Sequence, residues 1–172
     1  MGRNLTRVPT EVGVSASAWK KVKPLYKVMK NWACFVGAFY APAPMKPWMY
    51  RRLGLKIGKK VQIMPGFATD IFFPELISIG DNSVIGMDTF FSCHEFTVDE
   101  FKYGPIKVGK NVLIGARSFI LPGVTIGDGA IVSAQTLIYK DVPAHNLAFG
   151  SPLQFRELGM KPVPAKKLKK KK

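Results

Sequence analysis

The sequence is poor in cysteine and histidine, with two of each among 172 residues. Cys34 and Cys93 are too few for a disulfide framework and form no CxxC spacing, so we expect reduced thiols in a cytoplasmic protein. The same count argues against a catalytic zinc site with three histidine ligands, unless its ligands are mixed or shared between subunits. We therefore expect no bound metal.

The sequence also lacks a long apolar run. Crossing a bilayer takes about 18 or more apolar residues. The longest uncharged run near the N-terminus, 31–45, is interrupted by Pro42 and Pro44. The N-terminus does not have the basic, apolar and small-residue order of a signal peptide. The prediction is a chain without a membrane span or a secretion signal.

Acidic residues are scarce at both ends of the chain. Residues 1–60 hold 13 Lys and Arg against one acid, 61–150 hold five against nine, and 151–172 hold eight against one, for a net charge of +15. We expect the folded body at 55–156, between a basic N-terminal extension, 1–54, and a basic C-terminal tail, 157–172. Because the positive charge lies outside that body, we expect no nucleic-acid partner.

A repeat of six residues dominates the second half of the chain. Its first position is a branched aliphatic and its fifth position is small or β-branched. Both positions can point into one interior if the chain turns between repeats, because strand side chains alternate faces. One repeat cannot bury its own apolar edge, so the spacing predicts a solenoid of stacked coils. The first positions are Val108, Ile114, Ile120, Ile126, Val132 and Ile138, and the fifth positions are Val112, Ser118, Val124, Ala130, Thr136 and Val142.

The repeat is interrupted twice. Ile57 and Ile79 are 22 residues apart, which leaves four extra residues between two hexapeptide frames. Phe91 and Val108 are 17 residues apart, one hexapeptide plus eleven extra residues, which we place in a loop at 97–107. Insertions in solenoids leave as loops on one face and often build the functional site.

His94 stands at the start of the longer insertion. An imidazole can take a proton from a hydroxyl near neutral pH, as acyl transfer to that hydroxyl requires. We predict a general base here, against the alternative of a neutral surface histidine. Glu95 and Asp99 are the candidates for orienting it. Cys93 is predicted to be a packing thiol on the opposite strand face, and His145 to be structural.

Four motifs follow His94: Asn-Val-Leu-Ile-Gly-Ala at 111–116, Ile-Leu-Pro-Gly-Val-Thr-Ile-Gly-Asp-Gly-Ala at 120–130, Lys-Asp-Val-Pro at 140–143 and Gly-Ser-Pro at 150–152. With them the chain resembles the hexapeptide-repeat acyltransferase superfamily, in particular its galactoside, maltose, xenobiotic and surface-polysaccharide O-acetyltransferases. The resemblance implies an all-β solenoid, a left-handed parallel β-helix with three hexapeptides in each coil. It also implies a homotrimer with sites between subunits.

The same resemblance implies acetyl-CoA as acyl donor and assigns site residues. A histidine at the start of this loop is the general base in those enzymes, the place that His94 holds. The family often has basic residues two and five positions after its Gly-x-Pro proline, where this chain has Gln154 and Glu157, with Arg156 and Lys161 nearby. The residues expected along the pantetheine arm and phosphates are Gly115, Ala116, Ala134, Tyr139, Lys140 and Arg156.

The basic ends raise a separate question. Apolar residues recur at spacings of three and four from Trp19 to Tyr40, with lysines in the first half, which predicts an amphipathic helix. Pro24 suits the start of a helix better than its middle. This helix and the lysines of 166–172 would dock on an anionic membrane. Alternatively the helix packs on the solenoid or between subunits, and the tail is solvated.

The function expected is acetyl-CoA-dependent O-acetylation of a sugar or glycan hydroxyl, including one carried on a membrane lipid. One alternative is an acyl carrier protein as donor, because three chains together carry +45 and an acidic carrier would be attracted. Another is a non-catalytic trimeric scaffold whose basic ends contact a membrane.

Overall fold

The computed structural model describes residues 3–11, 15–150 and 153–157. Strand and turn predominate, and the helices are confined to the N-terminal extension and one connection. The α-helices are α1 (Leu25–Tyr40) and α2 (Lys46–Leu53), and short 3-10 helices cover Ser15–Lys21, Ala43–Met45 and Pro74–Leu76.

The described residues also form seventeen short strands, which turns connect. In chain order they are β1 (Thr6–Pro9), β2 (Lys56–Ile57), β3 (Gln62–Ile63), β4 (Ala68–Thr69), β5 (Ile77–Ile79), β6 (Val84–Ile85), β7 (Phe90–Phe91), β8 (His94–Phe96), β9 (Glu100–Tyr103), β10 (Ile106–Val108), β11 (Leu113–Ile114), β12 (Phe119–Ile120), β13 (Thr125–Ile126), β14 (Ile131–Val132), β15 (Leu137–Ile138), β16 (Asn146–Phe149) and β17 (Gln154–Glu157).

Three parallel sheets form the sides of a prism, and the chain visits them in rotation. The first stacks β2, β5, β10 and β13, the second stacks β3, β6, β11, β14 and β16, and the third stacks β4, β7, β12 and β15. Each circuit of three strands therefore lies directly on the circuit before it. This is the parallel β-helix that the repeat predicts. A separate antiparallel sheet joins β1, β9 and β8.

The strand register confirms the predicted repeat and both insertions. Thr125 pairs with Lys107, eighteen residues earlier, in the uninterrupted region. Phe90 pairs with Ala68, 22 residues earlier, which locates the four extra residues between β4 and β5. Leu113 pairs with Val84, 29 residues earlier, which locates the eleven extra residues between β7 and β10. The longer insertion is a hairpin of β8 and β9 rather than an irregular loop. It begins three residues before the predicted loop at 97–107 and ends before β10, which returns to the first sheet.

The interior is filled as the repeat predicts. The six aliphatic positions from Val108 to Ile138 are all buried, at 5% exposure or less. The six positions from Val112 to Val142 are also buried, and the hydroxyls among them find carbonyl partners. Ser118 Oγ, for example, donates to the Ser133 carbonyl oxygen at 3.0 Å. The small fifth position leaves room for the corner of the coil, where the backbone turns.

Corners repeat one backbone conformation. Asn111, Arg117 and Gln135 have φ between 55° and 59°, and Gly123 and Gly129 occupy the same place at 79° and 66°. Asn and Gly adopt this left-handed conformation at the least cost. His145 lies at such a corner too, with φ of 58°, so the structure places it in a turn.

The N-terminal helices close the first coil of the solenoid. Tyr50 of α2 donates its hydroxyl to the Phe67 carbonyl oxygen at 2.6 Å, and its ring lies 5.0 Å from that of Phe67. Lys46 is buried and donates to the carbonyl oxygens of Ala38 and Phe39, which lie at the end of α1. Burial lowers the pKa of Lys46. These contacts fix the two helices to each other and to the coil.

The prediction of one helix from Trp19 to Tyr40 was wrong at its start. A 3-10 helix ends at Lys21, and α1 begins at Leu25 with Pro24 as its N-cap. Proline has no N–H to donate and disfavours helical geometry in the residue before it, so the helix breaks there. No helix in the described ranges is long and apolar enough to cross a membrane. The predicted tail after Glu157 lies outside the described residues.

Close stacking of the coils explains why glycine follows an inward-pointing isoleucine in several repeats, as in Ile79-Gly80. A Cβ on Gly80 would lie 2.5 Å from the Gly109 carbonyl oxygen of the next coil. We predict that Gly80→Ala lowers the free energy of unfolding by about 2 kcal/mol, because backbone must move to admit the methyl group. Urea denaturation measures the loss. Gly37→Ala is the matched control, since its Cβ meets only the flexible end of Met49. Equal stability of the two variants would contradict this account of the stacking.

Candidate active site

Both insertions leave the solenoid at the same corner, one coil apart. The four-residue insertion follows β4 and the eleven-residue insertion follows β7, and these two strands are neighbours in the third sheet. Asp70 is the first residue after β4, and His94 lies three residues after the end of β7. Stacking therefore brings an acid and an imidazole together from segments 24 residues apart.

Asp70 and His94 form a hydrogen-bonded pair. Asp70 Oδ2 lies 2.5 Å from His94 Nδ1, and the Asp70 side chain is fully buried while that of His94 is 18% exposed. A carboxylate only accepts hydrogen bonds, so Nδ1 carries the proton of a neutral imidazole. The lone pair is then on Nε2. The pair thus presents a base on the open side of the ring.

Backbone groups hold the carboxylate in place. Asp70 Oδ1 accepts from the N–H groups of Phe72 and Phe73 at 2.7 and 3.0 Å, and Oδ2 accepts from Cys93 N at 2.8 Å. A buried carboxylate is costly unless such donors satisfy it. The Ser92 hydroxyl also donates to the His94 carbonyl oxygen at 2.7 Å. The orientation of the imidazole is therefore fixed from both insertions.

Aromatic rings enclose the imidazole. The rings of Phe72 and Phe96 contact it edge to face, with centroids at 4.9 and 5.0 Å, and Phe101 lies 6.1 Å away. Phe96 is 40% exposed, so one wall reaches solvent. Such walls exclude water from the base and offer an apolar surface to a substrate.

An N-terminal strand fixes the hairpin that carries His94. Strand β1 pairs antiparallel with β9, so that Thr6 lies opposite Tyr103. Arg3 pairs with Glu95 at 2.8 Å. Lys102 pairs with Glu100 at 2.9 Å, and this hydrogen bond lowers the pKa of Glu100. Strand β9 is thus the middle strand of a three-stranded sheet, between β1 and β8.

The predicted orienting residues have other partners. Glu95 accepts from Arg3, and Asp99 accepts from the Thr97 hydroxyl at 3.2 Å. Asp70, which was not among the predicted site residues, takes the orienting position instead. The lengths of the two insertions could have indicated it. Asp70 follows the third strand of one coil, and the segment with His94 follows the third strand of the next coil, so the two residues leave the same corner.

Cys93 is a buried thiol, as predicted. Its side chain is inaccessible, and burial first, with the nearby Asp70 charge second, raises its pKa above the usual range of a thiol. A thiolate at this position is therefore disfavoured. Within the described ranges, no three His, Cys, Asp or Glu side chains gather in a way that could hold a metal ion.

The residues predicted to hold acetyl-CoA lie in three places on one chain. Gly115, Ala116 and Ala134 occupy the corner between the second and third sheets, where Ala116 and Ala134 line a cleft of about 260 Å³. Tyr139 and Lys140 follow β15, on the corner that carries His94. Two coils separate them from His94, or about 10 Å along the solenoid. Arg156 lies in the terminal strand β17.

Lys140 lines a second, more apolar cleft. It measures about 530 Å³, and its other lining residues include Thr125, Gly127, Pro143 and Phe155. The Lys140 ammonium lies 5.4 Å from the centroid of the Tyr139 ring. On a single chain, His94 and Lys140 therefore lie along one edge of the prism, and Ala116 and Ala134 lie along another edge. The Ser151–Pro152 part of the Gly-x-Pro motif lies outside the described residues.

Known proteins share this architecture. Residues 105–140 match the family model for the hexapeptide repeat of succinyl-transferase. A protein of Bacillus subtilis (strain 168), YvoF, provisionally named an acetyltransferase, is 44% identical over 133 residues, which are 76% of this chain and 77% of that protein.

Solved structures agree in fold. A hexapeptide-repeat acetyltransferase of Vibrio cholerae, complexed with acetyl coenzyme A, matches with a TM-score of 0.67 and 22% identity over 78% of this chain and 88% of its own. A galactoside acetyltransferase in complex with coenzyme A matches with a TM-score of 0.64 and 21% identity over 82% of each chain. The predicted left-handed β-helix is thereby confirmed. The chain belongs to the hexapeptide-repeat acetyltransferases.

Proposed function

We propose that the protein transfers an acetyl group from acetyl-CoA to a hydroxyl of a sugar or glycan, with His94 as general base. The observation that carries this proposal is the Asp70–His94 pair, which leaves Nε2 unprotonated at an aromatic-walled opening. The galactoside acetyltransferase of the same fold was solved with coenzyme A. That likeness supports both the donor and the acceptor class.

The proposed reaction balances with these groups. The acceptor oxygen attacks the thioester carbonyl while His94 Nε2 removes the hydroxyl proton. The tetrahedral intermediate collapses with cleavage of the carbon–sulfur bond, and the imidazolium returns its proton to the departing thiolate. The products are an O-acetyl ester and free coenzyme A. Asp70 stabilises the transient imidazolium and remains ionised.

Substrate binding is proposed along the edges described above. Lys140 would meet phosphate as a point charge, with Arg156 near the end of the solenoid. The pantetheine arm would lie by Gly115, Ala116 and Ala134. The aromatic walls suit the apolar face of a sugar ring. The free thiols Cys34 and Cys93 agree with a cytoplasmic location, which we also propose.

A homotrimer would complete the site. On one chain the two groups of proposed cofactor residues lie on different corners, so a second copy is needed to bring them across one groove. Two outer faces carry apolar residues suited to such contacts, including Leu113, Phe119 and Leu137, which are 37–44% exposed. The third outer face carries Lys56, Ser78, Lys107 and Thr125 and is polar.

The donor and the acceptor can be tested together. We predict that the purified protein releases free coenzyme A from acetyl-CoA only when a sugar or lipid-linked sugar from a panel is present, with an acetylated product in mass spectrometry. An acetylated acyl carrier protein is the competing donor. A higher kcat/KM with this carrier than with acetyl-CoA would show that the carrier is the donor. Neither binding nor turnover with any pair would favour the non-catalytic scaffold.

Asp70→Asn tests the orienting hydrogen bond. We predict that kcat falls by about 100-fold, the lower end of what general-base catalysis contributes, because the imidazole is still present but in the wrong tautomer. The amide would donate to Nδ1 and move the imidazole proton to Nε2. Nitrogen-15 NMR of the histidine reports that tautomer, which a structural role alone would not change.

Asp99→Asn is the matched control for this variant. Like Asp70→Asn, it removes one negative charge, but from the hairpin, where the Asp99 carboxylate accepts a hydrogen bond from the Thr97 hydroxyl. We expect a wild-type rate. An Asp70→Asn enzyme with wild-type turnover and an unchanged tautomer would contradict the orienting role.

A further inference from the structure

One face of α1 is apolar and exposed. Leu25, Tyr26, Met29, Trp32 and Tyr40 are between 52% and 80% exposed, while Val28 and Ala38 on the other side of the helix are buried. With 3.6 residues in each turn, the exposed five fall within an arc of about 120°. We name these five residues the α1 face.

Positive charge borders the α1 face. The chain has no acidic residue between Glu11 and Asp70, and the side chains of Lys20, Lys21, Lys27, Lys30 and Arg52 are exposed. A cleft of about 370 Å³ shares Tyr26 with the α1 face, and its other lining residues are Lys23, Lys27, Lys30, Asn31 and Glu75. Lys23 is paired with Glu75, which leaves Lys27 and Lys30 as cations to meet a phosphate there.

We propose that the α1 face is a docking surface for an anionic lipid bilayer. Apolar and aromatic side chains beside lysines are what a helix needs to lie in the interface, with Trp and Tyr at headgroup depth. A second copy of the chain is a poorer occupant, because it would bring lysine against lysine, and Glu75, the acid of that cleft, is already paired with Lys23. Lipid phosphates supply the missing negative charge.

The side of α1 opposite the α1 face adjoins the Asp70–His94 pair. Asn31 of α1 donates to the Ile71 carbonyl oxygen at 2.9 Å, one residue from Asp70. The Trp19 ring lies 5.1 Å from that of Phe72, which in turn contacts His94. A docked helix would therefore hold the base close to the bilayer surface. A lipid-linked acceptor follows if the proposed O-acetylation is right, whereas vesicle binding does not require it.

The basic C-terminal tail is not needed for this docking. Helix α2 contacts β2 and β3 at the first coil, while the last described strand, β17, lies at the opposite edge of the second sheet. In a cyclic trimer the three α1 helices lie at one height along the axis. Three α1 faces would then act on one bilayer together, which strengthens weak single contacts.

Flotation of the full-length protein with vesicles tests the proposal. We expect binding to phosphatidylcholine vesicles with about one-third phosphatidylglycerol, and little to phosphatidylcholine alone. Met29→Glu/Trp32→Glu should lower the partition coefficient by about 100-fold or more, since two apolar anchors are lost. Lys27→Gln/Lys30→Gln should lower it by about 25-fold at low salt.

Val98→Glu is the matched control, because Val98 is 67% exposed on the hairpin and lies off the α1 face. It should bind as the wild type does. A chain ending at Glu157 should retain binding that depends on Met29 and Trp32. Wild-type binding by Met29→Glu/Trp32→Glu would overturn the proposal. So would a change in its oligomeric mass by light scattering, which would show that another copy covers the face.

Discussion

In-register stacking of the coils is the constraint on which the rest of the structure depends. Each uninterrupted circuit takes eighteen residues, as the pairing of Lys107 with Thr125 shows. Any extra residue must leave at a corner, because the strands above and below fix the sides. Both insertions leave at the corner after the third sheet, one coil apart. A rigid scaffold thus brings two separate segments within hydrogen-bonding distance. A general base needs such a scaffold, because its orientation must be fixed.

The chemistry of the corner follows from how Asp70 is satisfied. Its buried carboxylate accepts three backbone N–H groups and the His94 imidazole. Burying an unsatisfied carboxylate would cost several kcal/mol, so the turn after β4 and the hydrogen bond to His94 stabilise each other. The same turn carries Phe72, which packs against the imidazole. The turn after β4 therefore both orients the base and forms one wall of its enclosure.

The regular part of the chain could be predicted from the sequence and the irregular part only in outline. Positions such as Ile114 and Ser118 repeat a local rule, so their burial follows from spacing alone. Asp70 was missed because its partner depends on which corner each insertion leaves, a property of stacked coils rather than of neighbours in sequence. Strand β1 was missed for a similar reason, since it pairs with residues more than 90 positions away. The break at Pro24 was a local signal, and it indicated the start of α1 although the apolar spacing continued through it.

His94→Ala measures the central claim most directly. With acetyl-CoA and an acceptor that the wild type uses, kcat/KM should fall by about a thousandfold, within the range that general-base catalysis contributes. The dissociation constant for acetyl-CoA should stay at the wild-type value, because the residues proposed to bind it lie elsewhere on the solenoid. The thermal midpoint should fall modestly, because the buried Asp70 carboxylate loses one of its partners. Turnover by His94→Ala at the wild-type rate would contradict the assignment of the base.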